Sequence, residues 1–259
     1  MQASPLERLL RHDRRWMLGG LSLVIVLCWT YLIAEAALMA RGGSLLMTAT
    51  GGAWTLLEAG LMLLMWGLMM VAMMLPSAAP MLLLHATLTR RRRARGEAAA
   101  ATGLFASGYL IVWMLFSLVA VLLQYGLQQA VLLSPMLALT SQGVAGLVLI
   151  GAGLYQWSPL KEACLRHCRS PLEFVLTRWR EGRRGALVMG LHHGAYCLGC
   201  CWMLMLLLFV GGVMSLVWIA GLALWVLVEK LAPAGHWLGR LLGGVLVAWG
   251  GMALWVALT

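Results

Sequence analysis

Residues 186–209, ALVMGLHHGAYCLGCCWMLMLLLF, form an apolar run long enough to cross a bilayer as a helix, yet they include two histidines and three cysteines. Backbone groups in lipid must hydrogen-bond internally, which favours a helix for such a run. The 259-residue chain is 62% hydrophobic and 11% charged, and no stretch alternates as a membrane barrel strand does. The sequence therefore predicts an all-α, polytopic membrane helix bundle.

Seven apolar runs can be marked along the chain, and together they predict a single integral membrane domain over residues 1–259. The second run is too long for one straight crossing, and Pro76 and Pro80 predict a kink within it. The runs are approximately 16–39, 55–86, 99–124, 142–158, 186–209, 213–229 and 237–257.

The formal net charge of +10 arises from basic residues between the apolar runs, where they determine topology rather than bind nucleic acid. With seven spans, 18 of the 19 lysines and arginines fall on one side of the membrane, and only Arg41 falls on the other. The positive-inside rule then predicts a cytoplasmic N-terminus and a C-terminus outside.

The fifth run contains a cysteine-rich motif with helical spacing. His193, Cys197, Cys200 and Cys201 lie within one stripe of a helix at about 100° per residue, whereas His192 points elsewhere. Ionisable groups inside a bilayer usually mark a site, so both histidines are candidate metal ligands with these cysteines. The alternative is that the cysteines only pack and the histidines cap or bridge helices.

A second candidate group lies in PLKEACLRHCRSP, residues 159–171, directly after the fourth run. If this segment is helical, Cys164, His167 and Cys168 converge on one side. The competing interpretation is a basic interfacial helix with incidental cysteines. The cytoplasmic side is reducing, so free thiols are expected there rather than disulfides.

The second run is a methionine-rich helix, and Met69 and Met73 on one of its faces are secondary candidate ligands. Packing is the commoner role of methionine. His85 ends this run near the cytoplasmic face, at the predicted level of the two cysteine groups, and is therefore a further candidate metal ligand. Glu229 and Lys230 end the sixth run, and one interpretation is an interfacial ion pair in which the lysine snorkels to the surface. In the alternative, the Glu229 carboxylate is a hydrogen-bond partner of a metal-ligating histidine.

Four long strings occur in order along the chain: MMVAMMLPSAAPM at 69–81, SPLKEACLRHCRSPL at 158–172, MGLHHGAYCLGCCWMLMLLLFVGGVM at 189–214 and EKLAPAG at 229–235. They resemble a bacterial family of predicted metal-binding integral membrane proteins with a copper-chaperone-like description. The resemblance implies a multi-pass protein of the bacterial inner membrane. It also implies metal ligands at Cys164, Cys168, Cys197, Cys200 and Cys201.

The sequence favours binding of a soft metal ion, most plausibly Cu(I) and alternatively zinc, for delivery or transport. The partners expected are the lipid bilayer and a membrane metalloenzyme or another metal-handling protein. A thiol–disulfide or haem-linked redox protein and a structural subunit of a membrane complex are the alternatives. No hydrolase, phosphate-loop or dinucleotide motif stands in a fitting context, so an enzyme is less favoured than a binding protein.

Overall fold

The computed structural model describes residues 5–43, 54–96, 102–134 and 136–259, with the side chains of 5–16 excluded. The arginines before the first span therefore lie outside the described side chains, and the start of the run predicted at 99–124 lies partly outside the described residues. Within these ranges the chain is α-helical and has no β-strand, which confirms the all-α prediction. The helices are α1 Pro5–Ala40, α2 Leu56–Ala94, α3 Thr102–Gln129, α4 Gln142–Gln156, α5 Pro159–Arg169, α6 Pro171–Arg178, α7 Gly182–Leu206, α8 Leu208–Gly211, α9 Leu216–Leu231 and α10 Gly235–Leu258.

In the described part of the chain, five segments are long and apolar enough to cross a membrane: Met17–Ala40, Leu56–Ala94, Thr102–Gln129, Gly182–Gly211 and Gly235–Leu258. A sixth results if α4 and α5, which are bent by 63° at their junction, count as one broken span. Helix α9 is apolar but has only 16 residues. These helices are compatible with a multi-pass membrane protein, whereas the count of seven spans and the orientation of the termini remain predictions.

Helix α2 is the longest helix in the described part of the chain, and α1, α3 and α9 pack against it. It begins at a capping box, in which Thr55 Oγ1 accepts from the Glu58 amide and Glu58 Oε2 accepts from the Thr55 amide. It then continues as one helix through Pro76 and Pro80 to Ala94. At 1.5 Å per residue its 39 residues extend about 58 Å, roughly twice the hydrocarbon thickness of a bilayer.

Glycines set the closest helix crossings. A Cβ atom at Gly190 of α7 would collide with the Phe105 carbonyl of α3, and one at Gly108 would collide with the backbone of α7. Helices α4 and α10 approach each other in the same way through glycines that face glycines. The α3–α7 contact fixes the rotation of α7, so that its cysteine stripe points into the bundle.

Candidate metal centre

The cysteine stripe of α7 is buried in the core of the bundle. His193, Cys197, Cys200 and Cys201 are each at most 3% exposed, as the helical spacing led us to expect. The thiols of Cys200 and Cys201 donate to the Cys197 carbonyl at 3.1 and 3.0 Å, one turn earlier. Three thiols thus lie side by side on one helix face without contact with solvent.

A fourth thiol reaches this face from α5. Ser158 caps α5 by accepting from the Lys161 amide at 3.1 Å, and Pro159 occupies the first turn. At the other end of the helix, the Cys168 thiol lies close enough to those of Cys197 and Cys200 to interact with them. We refer to Cys168, Cys197, Cys200 and Cys201 as the thiol cluster.

Cys164, one turn before Cys168 on α5, lies beside the thiol cluster. A Cβ atom added at Gly199 would stand 2.6 Å from Cys164 Sγ, so the absent side chain at 199 leaves room for this sulfur. The Tyr155 hydroxyl donates to the Gly199 carbonyl at 2.5 Å, which ties α4 to the same turn of α7. The two cysteine motifs of the sequence therefore meet in space.

Helices α2 and α3 complete the walls of the thiol cluster. The Tyr109 hydroxyl lies 3.2 Å from Cys197 Sγ and donates to the Met74 carbonyl at 3.2 Å. The Met74 thioether lies 3.9 Å from Cys201 Sγ. Met69 and Met73, the secondary candidates, are buried in the core on the same helix. The methionine in contact with a thiol is thus Met74, on the other methionine face of α2.

The last turn of α9 places an ammonium group against the thiol cluster. Lys230 is 6% exposed, and its Nζ donates to Cys197 Sγ and to Ser77 Oγ, both at 3.0 Å. The expectation that Lys230 snorkels to the interface is therefore wrong, because its charge is buried against a sulfur. A nearby cation stabilises the thiolate, which is the metal-binding form of cysteine.

Glu229 pairs with α5 rather than with its neighbour Lys230. Its Oε1 lies 2.6 Å from Lys161 Nζ, and Lys161 also donates to the Gln156 side-chain oxygen. Both charged groups are at most 2% exposed. This buried ion pair attaches the start of α5 to the end of α9, and so holds the helix that carries Cys168.

His193 lies one turn before Cys197 on α7, on the same helix face as the three α7 thiols. Its ring contacts Phe105, Tyr109 and Phe174 at centroid distances of 5.9, 5.7 and 5.6 Å. Its Nδ1 is buried and has no hydrogen-bond partner among the described residues. A buried polar atom without a hydrogen-bond partner destabilises the fold, because its desolvation is not compensated. The Nδ1 atom of His193 is therefore available to coordinate a metal ion.

The other candidate histidines lie against aromatic rings or on the helix flank. His85 stacks on Phe105 and Trp179 at 4.7 and 5.5 Å, and its Nδ1 is 3.3 Å from Thr102 Oγ1. His167 stacks on Tyr196 at 4.2 Å, and its Nδ1 lies 2.9 Å from the Ala163 carbonyl. His192 is half-buried on α7.

The donor types around the thiol cluster fit a soft metal ion, because thiolate and thioether sulfurs select Cu(I) and imidazole also binds copper. In the described part of the chain, no group of three or more His, Cys, Asp or Glu side chains is arranged to hold a metal ion. The thiols of Cys200 and Cys201 instead bond back to their own helix. Ligation would require these thiols to rotate away from the Cys197 carbonyl.

Sequence reasoning missed three residues of this centre: Met74, Tyr109 and Lys230. Lys230 could have been recognised from the sequence, because an ionisable residue at the end of an apolar run can be buried in a site instead of lying at the interface. Nothing in the sequence indicated Tyr109 or Met74, because their contacts with the cysteines depend on how α2 and α3 are rotated against α7.

The structure thus defines the class of the protein. It is a helical protein whose long apolar helices are compatible with a membrane, and it buries thiols, a thioether and an ammonium group next to one another. A family model described as PpoB2, copper chaperone, matches residues 63–253. The chain belongs to this copper chaperone family, which confirms the resemblance seen in the sequence. No curated protein and no solved structure matches the chain.

Proposed function

We propose that the protein is an integral membrane copper chaperone that holds Cu(I) on the thiol cluster. The observation that carries this proposal is the meeting of Cys168 on α5 with Cys197 and Cys200 on α7. These residues are about 30 positions apart in the chain. Membership of the copper chaperone family supports copper as the cargo.

The surroundings of the thiol cluster favour Cu(I) over zinc. Structural zinc sites take four thiolate or imidazole ligands in a closed tetrahedron, whereas thioethers are ligands of Cu(I). The Met74 sulfur at 3.9 Å from Cys201 Sγ supplies such a ligand. The Lys230 ammonium offsets part of the negative charge of a copper–thiolate complex in a site that excludes water.

The proposed membrane placement has seven spans in the bacterial inner membrane, with the N-terminus in the cytoplasm and the C-terminus outside. Helix α9 and the bent pair α4–α5 supply the two spans beyond the five long segments. Along α7 and α2, the thiol cluster and Met74 lie about 15–27 Å from the outer helix ends near Gly211 and Leu56. In a hydrocarbon layer of about 30 Å this range extends from the middle of the layer to its cytoplasmic boundary.

A site in the cytoplasmic half of the membrane suits delivery of Cu(I) to a membrane metalloenzyme or a metal-handling partner. The reducing cytoplasm keeps thiols free and copper monovalent. Transport across the membrane would need donor atoms at further depths. The buried methionines of α2 are the groups that could supply them.

Titration of the purified, reduced protein with Cu(I) against a chromophoric Cu(I) chelator tests the proposal. We expect tight, near-stoichiometric binding by the wild type and its loss when Cys197, Cys200 and Cys201 are changed to serine. Cys28→Ser is the matched control, because Cys28 is also a buried free cysteine but lies on α1. Equal Cu(I) affinity in the triple variant and in the control would contradict the proposal.

Thiol–disulfide exchange is the second candidate, because the same contact brings Cys168 within reach of two cysteines on another helix. It predicts a disulfide between α5 and α7 that forms and breaks in cells. Thiol trapping in intact cells, with Cys168→Ser as the reference, distinguishes the two candidates. A permanently reduced cluster favours copper binding.

A further inference from the structure

A polar cleft separates α5 from the start of α10 on the side of α5 that faces away from the thiol cluster. Its outer part has a volume of ≈ 220 Å³. A narrow inner part of ≈ 20 Å³ shares Glu162, Leu165 and His236 with it, so that the two form one cleft. The outer part is lined by Glu162, Leu165, Arg166, Arg169 and His236, and the inner part also reaches Gln156, Lys161, Glu229 and Arg240.

The charges of the cleft are predominantly positive. Lys161 and Glu229 neutralise each other in the buried ion pair. Three arginine side chains remain, Arg166, Arg169 and Arg240, against the single carboxylate of Glu162. The cleft therefore attracts an anionic group, and guanidinium groups match phosphate geometry well.

Two features show that the cleft is pre-arranged. The Arg169 guanidinium donates to the Ala232 and Pro233 carbonyls, both at 2.6 Å, which fixes it at the α9–α10 turn. At the inner end, Gln156 is 6% exposed, and its Nε2 has no hydrogen-bond partner within the described ranges. A buried amide donor that lines a cleft without an acceptor indicates a ligand or water oxygen there.

Trp157 lines the inner part of the cleft, and further exposed apolar side chains lie within two positions of lining residues in the chain. Trp157 and Trp237 are 48% and 58% exposed, and Leu160 and Leu231 are also exposed. Tryptophans with an apolar body and a polar edge concentrate at the membrane–water interface. In the proposed membrane placement the cleft lies at the level of the cytoplasmic headgroups.

We infer that this cleft binds the phosphate group of an anionic phospholipid, with the acyl chains along the exposed leucines. The inference rests on the proposed membrane placement. Basic pockets between helices on the cytoplasmic side suit anionic lipid headgroups. A protein partner with an acidic surface is less suited, because a cleft of ≈ 220 Å³ admits a headgroup but not a protein surface.

The binding of a lipid here would affect the thiol cluster through α5. The opposite side of this helix carries Cys168, and its first turn is held by the ion pair with Glu229. A headgroup between α5 and α10 adds a second attachment to the same helix. Anionic lipid is thus expected to stabilise the arrangement in which α5 and α7 share their thiols.

Native mass spectrometry of the delipidated protein, titrated with phosphatidylglycerol and phosphatidylcholine, tests the inference. The variant is Arg166→Gln with Arg240→Gln, which leaves the structural Arg169 in place. The control is Arg183→Gln with Arg184→Gln, a matched pair of exposed arginines at the start of α7. We expect the wild type and the control to prefer phosphatidylglycerol by roughly tenfold or more, and the cleft variant to lose that preference.

Three outcomes would overturn the inference: no preference in the wild type, an equal loss in both variants, or displacement of the lipid by inorganic phosphate at millimolar concentration. An equal loss would indicate general surface attraction, and displacement would indicate a site for free phosphate. Resistance of the protein to extraction by alkaline carbonate is measured on the membranes from which it is purified. Its loss would refute the membrane placement itself, independently of lipid selectivity.

Discussion

The buried ion pair between Lys161 and Glu229 gives the sharpest energetic prediction. The two charged atoms are 2.6 Å apart, and both side chains are at most 2% exposed, so that water does not solvate a charge left behind. Removal of one partner from a buried pair costs about 3–5 kcal/mol, because the other charge stays uncompensated. We expect Lys161→Met and Glu229→Leu each to destabilise the protein by that amount.

The double variant is expected to cost less than either single change, because no uncompensated charge is then left buried. Replacing a whole buried pair by apolar residues is often neutral or stabilising. The Gln156 side-chain oxygen loses its Lys161 donor in the double variant, as it does in Lys161→Met. The double variant is therefore not expected to recover the full stability of the wild type. The resulting coupling energy should have a magnitude of at least about 3 kcal/mol, the upper end of the range for residues in contact.

Equilibrium unfolding in mixed micelles, by titration of a denaturing detergent, measures these free energies. Glu181→Gln serves as the control, because Glu181 forms an exposed ion pair with Arg92 at 3.2 Å. The Glu181 side chain is 64% exposed and that of Arg92 is 29% exposed. An exposed pair of this kind contributes about 0–1 kcal/mol. Additive costs for the two buried substitutions, or single-variant costs no larger than that of the control, would refute the reasoning.

Three further predictions concern the packing and the donor set. Gly190→Ala should destabilise the protein by about 1–3 kcal/mol, since its Cβ would meet the Phe105 backbone, whereas Gly244→Ala, which faces open space, should change the unfolding free energy by less than about 0.5 kcal/mol. Lys230→Met should weaken Cu(I) binding by about 10–100-fold, as losses of supporting groups around a metal do. An unchanged affinity in chelator competition would show that the ammonium does not support the site. His193→Leu should leave the protein folded, because the buried Nδ1 has no partner in the described structure, and should weaken Cu(I) binding. If the same competition assay detects no loss, His193 is not a ligand.

The helical periodicity of the sequence was sufficient to predict the cysteine stripe. At 3.6 residues per turn, positions 193, 197, 200 and 201 must share a face, and a face so rich in thiols and glycine is expected to point inward. The sequence alone leaves the helicity of residues 159–171 open, although Ser158 and Pro159 form a usual helix start. Local sequence thus predicts the α7 half of the thiol cluster directly and the α5 half only on the condition that this segment is helical.

Contacts between helices were beyond the reach of periodicity. Both methionine faces of α2 are buried, so spacing alone cannot choose Met74 over Met69 or Met73 as the neighbour of a thiol. His85 was predicted to lie at the level of the cysteines, but stacking on Phe105 and Trp179 occupies its ring. Lys230 ends an apolar run, and the depth at which α9 ends, rather than its sequence, determines that its ammonium meets Cys197.

Copper K-edge X-ray absorption of the protein loaded with Cu(I) tests the thiol cluster most directly. We expect a monovalent edge and sulfur atoms in the first coordination sphere, with fewer sulfurs when Cys168 on α5 is changed to serine as well as when Cys197 on α7 is changed. A first sphere of nitrogen and oxygen atoms, or a sulfur count that neither substitution alters, would contradict the assignment of copper to the meeting point of α5 and α7.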